Sequence, residues 1–242
     1  MREVVNTLLY LNRAGCQWDM LPHDLLPKST AYGYFAQWRD DGTWQWMMDQ
    51  LREQLRRQEQ RDATPSAGGV DSQSVKTAGS GGEAGYDAGK KVSGRKRHIA
   101  VDTLGLLLAV VVTSASADDG ATAHQVLGQL DAERFPRLAL IWADQKYHNT
   151  SLEKWIADRS PTWRVEVVRR PPGQKGFVVL HRRWVVERTF GWLMRHRRLG
   201  RDHERRLDSS ESMVRVASLH LMLKRLAPCK KTYPPFKYHT AA

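Results

Sequence analysis

The chain is short of cysteine, of acidic charge and of long apolar runs. Two cysteines, Cys16 and Cys229, lie at opposite ends of 242 residues, a spacing that supports neither a disulfide framework nor a zinc finger. The longest apolar run, residues 104–112, has nine residues, against the roughly 20 that a membrane-spanning helix needs. Met1 leads into Arg-Glu-Val-Val-Asn, without the apolar core of a secretory signal. These absences predict a cytoplasmic protein in a reducing setting, with no membrane partner. The acidic deficit is the most informative. Lys and Arg number 38 against 26 Asp and Glu, leaving +12 and a pI near 10.0. A surplus of that size points to a polyanion such as nucleic acid. Several catalytic patterns are missing too. No GxxxxGK[ST], strand-linked GxGxxG, HExxH or GxSxG occurs, so nucleotide binding, zinc hydrolysis and serine nucleophilic chemistry are unsupported.

What is present organises into two parts. Residues 1–60 read as helical. Val4, Val5, Leu8, Leu9 and Leu11 make a stripe that stops at Gly15, as an amphipathic helix does. A loop with Pro22 and Pro27 follows, and Ser29-Thr30 predicts an N-cap for a helix over 31–39. A third helix is predicted over 44–58. A broken turn before a capped second helix has the form of a helix-turn-helix, although a small bundle with an aromatic core satisfies the same pattern. Residues 61–68 have linker composition.

After the linker the pattern changes to strands: 69–75, 97–103, 106–114, 138–143 and 164–168. The third is Val/Leu-rich enough to predict a sheet centre. The glycine-rich stretch 78–89 predicts a loop in which Asp87 is solvated. Helices are predicted over 121–130 after Asp118-Asp119, over 151–158, and as one long basic helix over 182–198. A last amphipathic helix follows, with a capping box from Asp208 to Glu211. The order fits an α/β architecture, an RNase H-like mixed sheet flanked by helices over 69–226, and other mixed sheets also satisfy it. Residues 227–242 read as a flexible tail.

Three carboxylates stand in informative places: Asp71 in the first strand, Asp144 at the end of the fourth, and Glu187 on the helix after the fifth. Acids are disfavoured inside strands unless a partner or a metal holds them. Singly, each reads as a capping or ion-paired residue. Together, in a basic chain, they read as a site for two divalent ions, for which Mg²⁺ suits hard oxygen donors, with Mn²⁺ as a substitute. Asp102 reads as a turn former, and Asp118 and Asp119 as caps, one of them a candidate supporting group.

These motifs carry a family resemblance. Gly68-Gly-Val-Asp71-Ser-Gln-Ser-Val-Lys-Thr77, then Gly85-Tyr-Asp-Ala-Gly-Lys-Lys-Val-Ser-Gly-Arg-Lys-Arg-His98 and Val101-Asp-Thr-Leu-Gly-Leu106 resemble the catalytic core of bacterial insertion-sequence transposases of the insertion sequence 5 family, within the Asp-Asp-Glu class. Ala143-Asp144-Gln-Lys-Tyr147 is similar to the second acidic motif, and Arg183-Trp-Val-Val-Glu187-Arg-Thr-Phe-Gly-Trp192 to the third. Gly15-Cys-Gln-Trp18, Met20-Leu-Pro-His23 and Trp38-Arg-Asp-Asp-Gly-Thr-Trp44 resemble the family's helix-turn-helix region. The resemblance implies Mg²⁺-dependent DNA cleavage and strand transfer, binding of terminal inverted repeats and target DNA, and assembly as a dimer or larger. It places Asp71, Asp144 and Glu187 at the three acid positions. The related insertion sequence 4 group carries Tyr-x2-Arg-x3-Glu-x6-Lys. Here Leu180 and Met194 stand at its tyrosine and lysine positions, so that group's hairpin route is not carried over. Family members usually have a further segment ahead of the helix matching 4–11, which predicts a shortened N terminus. Two rival readings follow: a truncated, non-catalytic repressor that binds the repeats, and an RNase H-like nuclease that hydrolyses without joining.

The basic residues are the expected DNA contacts. Residues 169–206 hold twelve Lys and Arg against three acids, and Lys90, Lys91, Arg95, Lys96 and Arg97 make a second cluster. Arg183 and Arg188 on the glutamate helix, and Lys146 and Tyr147 beside Asp144, join them. Trp184 is a candidate for base stacking, and Trp192 for the core. Base readout is assigned to Ser29, Thr30, Tyr32 and Arg39.

Overall fold

The computed structural model describes residues 1–79, 81–147, 149–159, 161–169 and 180–228. Three helices come first: α1 (Arg2–Ala14), α2 (Lys28–Asp40) and α3 (Thr43–Gln58). The α1 stripe ends where Gly15 turns left-handed at φ 71° and donates its N–H to the Leu11 carbonyl. The Ser29-Thr30 cap does not form. The helix begins three residues earlier, at Lys28 behind an extended Pro27, and its N-terminus has no capping hydrogen bond from a side chain among the described residues. Proline's fixed φ already aims the chain into the first turn. Aromatic edges lock α2 to α3. Trp38 meets Trp44 edge-on at 5.0 Å, and Trp44 Nε1 donates to the Phe35 carbonyl at 3.3 Å.

The sheet has six strands: β1 (Ala67–Lys76), β2 (Gly85–Asp87), β3 (Val92–Asp102), β4 (Leu107–Ser114), β5 (Leu140–Ala143) and β6 (Arg164–Val167). β1 lies between an antiparallel β3 and a parallel β5, β6 extends the parallel side, and β4 and β2 pair antiparallel with β3. This strand order, antiparallel then parallel, is the RNase H-like arrangement. β4 flanks β3 rather than the sheet centre. Its apolar run follows from burial on both faces: Val110 and Val112 face one apolar cluster, Ala109 and Val111 the other. Its outer edge is covered by side chains, Glu211 accepting the Val112 N–H at 3.1 Å.

Helices α4 (Asp119–Leu127) and α5 (Thr150–Arg159) cover one face. The other carries α6 (His181–Leu193), the short α7 (Arg197–Gly200) and α8 (Leu207–Leu226), together with α1–α3. One apolar cluster joins Leu8, Phe35, Trp44 and Leu55 of the first three helices to Val110, Phe190 and Val216. The first sixty residues and the sheet are thus packed as one body.

Several sequence expectations change here. Residues 78–89 include a strand, and Asp87 is buried, accepting from Ser74 Oγ at 2.6 Å and the Lys90 N–H at 3.0 Å. Those bonds, led by Ser74, hold its carboxyl down at about 2. The long basic helix breaks at His196, whose Nδ1 is 2.6 Å from Asn12 Oδ1 of α1. The capping box is absent, because Glu211 serves β4 and Asp208 pairs with Arg206 and Arg39. α8 is buried on most of its circumference instead of one face, since it is wrapped by β4, α3 and α1. The tail beyond residue 228, with Cys229, and the basic Arg170 and Lys175 lie outside the described residues.

Candidate active site

The three acids meet at the seam between the antiparallel and parallel halves of the sheet. The parallel register pairs Gly69 with Trp142, and two residues further on each chain bring Asp71 level with Asp144. Both side chains are held by backbone amides just after them: Asp71 Oδ1 accepts the Ser72 N–H within β1 at 2.7 Å, and Asp144 Oδ1 the Lys146 N–H in the following turn at 2.9 Å. Glu187 arrives from α6, which is anchored from the other side. Thr189 Oγ1 donates to the Gly105 carbonyl at 3.1 Å and Arg188 Nη2 to Leu104 at 3.3 Å. Gly105 sits at φ 81°, and a Cβ there would lie 2.7 Å from Thr189 Oγ1, so the turn between β3 and β4 is matched to this helix.

Arg183, one helical turn before Glu187, occupies the middle. Its Nη2 is 3.5 Å from Asp71 Oδ2, 3.9 Å from Asp144 Oδ2 and 3.9 Å from Glu187 Oε1. The acids converge on this guanidinium, and no trio of acidic, His or Cys side chains among the described residues is drawn tightly enough to hold an ion as it stands. Burial pushes the Asp71 carboxyl up, against the Ser72 N–H and Arg183, which pull it down. Tyr147 lies beneath the acids. Its hydroxyl is buried with no hydrogen-bond partner among the described residues, and burial followed by the nearby Asp71 charge raises it well above the usual phenol range.

A fourth carboxylate supports the floor. Asp119 accepts Ser72 Oγ at 2.8 Å, Lys146 Nζ at 2.9 Å and Lys96 Nζ at 3.1 Å. Burial works to raise its carboxyl, but these three donors together bring it to about 2. Asp119 therefore ties the residue after Asp71 to a residue just past Asp144. The sequence offers Asp118 and Asp119 as caps with one of them a candidate supporting group; Asp118 is the cap of α4, accepting the Ala121 N–H, and Asp119 is the supporting residue. The available signal was Lys96, a cation inside a strand that needs an anion.

The expected DNA contacts divide sharply. Lys90 and Lys91 are exposed beside the acids, with Lys90 Nζ on the Ser72 carbonyl at 3.1 Å. Lys146 is exposed but bonded to Asp119. Arg95, Lys96 and Arg97 are buried, and their assignment to DNA is corrected. Arg95 Nη1 pairs with Asp202 at 3.0 Å and donates to the Glu204 carbonyl, and Arg97 donates to Leu199. They face inward because Asp202 docks beside the end of β1 through paired backbone hydrogen bonds at 2.8 Å, its N–H to the Lys76 carbonyl and its carbonyl to the Ala78 N–H. Tyr147, being buried, is likewise no surface contact. Arg188 lies between Trp184 and Trp192, 4.9 and 4.5 Å from their rings, with Trp184 exposed and Trp192 half-buried. On α2, Ser29, Thr30 and Tyr32 are exposed, whereas Arg39 is half-buried and bonded to Asp40 and Ser209.

Comparisons with known proteins bear on this geometry. Residues 62–223 match the family described as "Transposase DDE domain", and residues 1–48 match "Putative transposase of IS4/5 family". A relative, "Putative transposase for insertion sequence element IS402" of Burkholderia cepacia, is 32% identical over 133 residues, covering 51% of this chain and 60% of its own length. The catalytic core domain of BIV integrase gives a TM-score of 0.36 at 13% identity, over 62% of this chain and 81% of that one. Mos1 transposase, solved in a paired-end complex with the left transposon end, gives 0.27 at 12%, over 67% and 57%. The first match spans more than half of the sequence and includes Asp71, Asp144 and Glu187; this chain belongs to the Transposase DDE domain family.

Proposed function

We propose that the protein is a DNA transposase that cleaves at the ends of an insertion element and joins the freed 3′-hydroxyl to target DNA, using Asp71, Asp144 and Glu187 as one site. The observation that carries this is the convergence of three carboxylates from β1, the end of β5 and α6 on a single point, within 3.9 Å of the Arg183 guanidinium. The donor set fits divalent ions: three hard carboxylates around a point that already attracts a cation. Mg²⁺ held by these acids would supply an activated attacking oxygen and a stabilised leaving oxygen at phosphorus.

The residues of the chain position and neutralise. The Ser72 and Lys146 amides orient Asp71 and Asp144, and the α6 anchor at Gly105 sets Glu187 opposite them. Lys90 and Arg183 provide positive charge for the scissile and neighbouring phosphates, Arg in a planar form suited to phosphate oxygens. In cleavage, water adds to phosphorus and the element's 3′-oxygen leaves as the hydroxyl. In joining, that hydroxyl attacks a target phosphorus and the target's own 3′-oxygen leaves. Each step exchanges one P–O bond for another, so no covalent enzyme intermediate is required. DNA is held through Lys90, Lys91 and the exposed face of α2, as one of at least two copies that pair the element ends.

The test is a strand-transfer assay with labelled element-end duplex, target plasmid and Mg²⁺, comparing the protein with Glu187→Gln. Joined products that fall by about a thousandfold or more in the variant, with DNA binding kept, are expected for loss of one metal-holding carboxylate. Nicking without joining would replace this reading with a hydrolytic nuclease. Binding without either, alike in both proteins, would replace it with a repressor.

A further inference from the structure

Arg183, partly exposed, is held differently from the buried Arg95 and Arg56. Arg95 and Arg56 make direct hydrogen bonds to carboxylates and carbonyls. Arg183 sits 3.5–3.9 Å from three carboxylates at once, and its buried Nε has no hydrogen-bond partner among the described residues. Among the described residues its guanidinium is held by charge attraction, with its side chain 21% exposed. A group held this way is attracted strongly and anchored weakly.

We propose that Arg183 is an interlock: it fills the centre of the acid triad as an internal cation, and a DNA phosphate draws it out, so that DNA binding and divalent-ion loading promote each other. The inference rests on the reading of the three acids as a metal site. A guanidinium at the centre of the triad opposes any second cation there, and the opposition is large at such distances inside a protein. The acids alone therefore bind divalent ions poorly while Arg183 is in place. A phosphate arriving beside exposed Lys90 offers the guanidinium a partner of matching planar geometry. Once Arg183 turns to it, the acids regain their charge for metal. Because the coupling is thermodynamic, metal must tighten DNA binding by the same factor that DNA tightens metal binding. Such an arrangement keeps the hydrolytic site unloaded on free protein.

The experiment measures Mn²⁺ binding to the full chain by electron paramagnetic resonance of free Mn²⁺, with and without a short mixed-sequence duplex at low salt. Without DNA, Arg183→Gln is expected to bind Mn²⁺ about tenfold or more tighter than the parent, and Arg183→Lys, which keeps the charge, to stay near the parent. Duplex DNA tightens Mn²⁺ binding to the parent and leaves Arg183→Gln unchanged. Equal or weaker Mn²⁺ binding by a folded Arg183→Gln overturns the interlock. If that variant does not fold, the parent decides: Mn²⁺ affinity indifferent to DNA overturns it. Adding Asp144→Asn to Arg183→Gln abolishes the gain if the ion sits on the triad. Absence of Mn²⁺ binding in every protein overturns the metal reading and the interlock with it, whereas equal binding in parent and Arg183→Gln, lost in Asp144→Asn, overturns the interlock alone.

Discussion

Asp118 and Asp119 are neighbours in sequence with separate tasks. Asp118 accepts the Ala121 N–H and caps α4; its replacement by Ala is expected to cost about 1 kcal/mol of unfolding free energy, the usual value of an N-cap. Asp119 is buried between Ser72, Lys96 and Lys146. Its replacement by Ala leaves Lys96 buried and short of charge, so a loss of about 3–5 kcal/mol is expected. Chemical denaturation of both variants checks the contrast, and similar losses would contradict it. A separate expectation concerns the amide Asp119→Asn. It keeps the shape but loses the ion pairs, and it is expected to lower strand transfer without removing DNA binding, because Lys146 and Ser72 no longer brace the segments that carry Asp144 and Asp71. Binding and transfer measured on the same preparation decide it.

At the scale of elements, the basic clusters split by where their strand runs. Arg95 and Arg97 lie on β3 between two neighbouring strands, with Asp202 docked against them. Lys90 and Lys91 lie just before that strand and stay exposed. Arg95→Gln is therefore expected to destabilise the fold by about 3 kcal/mol or more, as the breaking of a buried pair does. Lys90→Gln with Lys91→Gln is expected to leave unfolding unchanged and weaken DNA binding. If each lysine contacts one phosphate, the slope of log affinity against log salt falls by about 0.9 per residue. A salt titration of DNA binding beside a melting curve separates the two classes. Both halves of this cluster read alike in sequence, since each is a run of Lys and Arg. What distinguishes them is Asp202, more than a hundred residues downstream, and a linear pattern carries no sign of that partner.

Across the whole molecule, α1–α3 and the sheet share one apolar cluster around α8. Removing residues 1–60 would expose Met213, Val216 and Leu219, all buried in the intact chain. A single cooperative thermal transition is expected for the whole protein, and an aggregating or molten product for the deletion; a fragment that melts sharply by itself would contradict shared packing. The same packing buries imidazoles. His98 and His220 are held at about 4 and His196 at about 3, in each case by burial first. His196 stacks edge-on with His220 at 5.2 Å and faces Asn12. Below the ordinary histidine value of about 6.5 the unfolded chain binds protons that the native chain does not. Stability is therefore expected to fall as pH drops from about 6.5 to about 4, before the carboxylates at about 2 lose their share. Melting temperatures across that range, with His196→Gln flattening the slope, check the assignment.

The sequence alone indicated the mixed sheet and most of its strand–helix order, missing β2 and the break after α6, and it singled out the three acids as candidates, because each rests on local chemistry: apolar periodicity, glycine at turns, and carboxylates where strands disfavour them. Asp102 was legible as a turn former for the same reason, its carboxylate accepting the Leu104 and Leu106 N–H groups at 2.9 and 2.8 Å. Tertiary structure decided what local chemistry leaves open. It placed Arg183 amid the acids, turned Arg95 and Arg97 inward to Asp202, made Asp119 a brace, and covered β4 with α8 on one face and α4 on the other. The deciding partners Asp71 and Asp144 for Arg183, Asp202 for Arg95 and Arg97, and Ser72, Lys96 and Lys146 for Asp119 lie more than twenty residues away, and whether a charge meets solvent, phosphate or a buried counter-ion is settled only when the sheet brings those partners within a few ångströms.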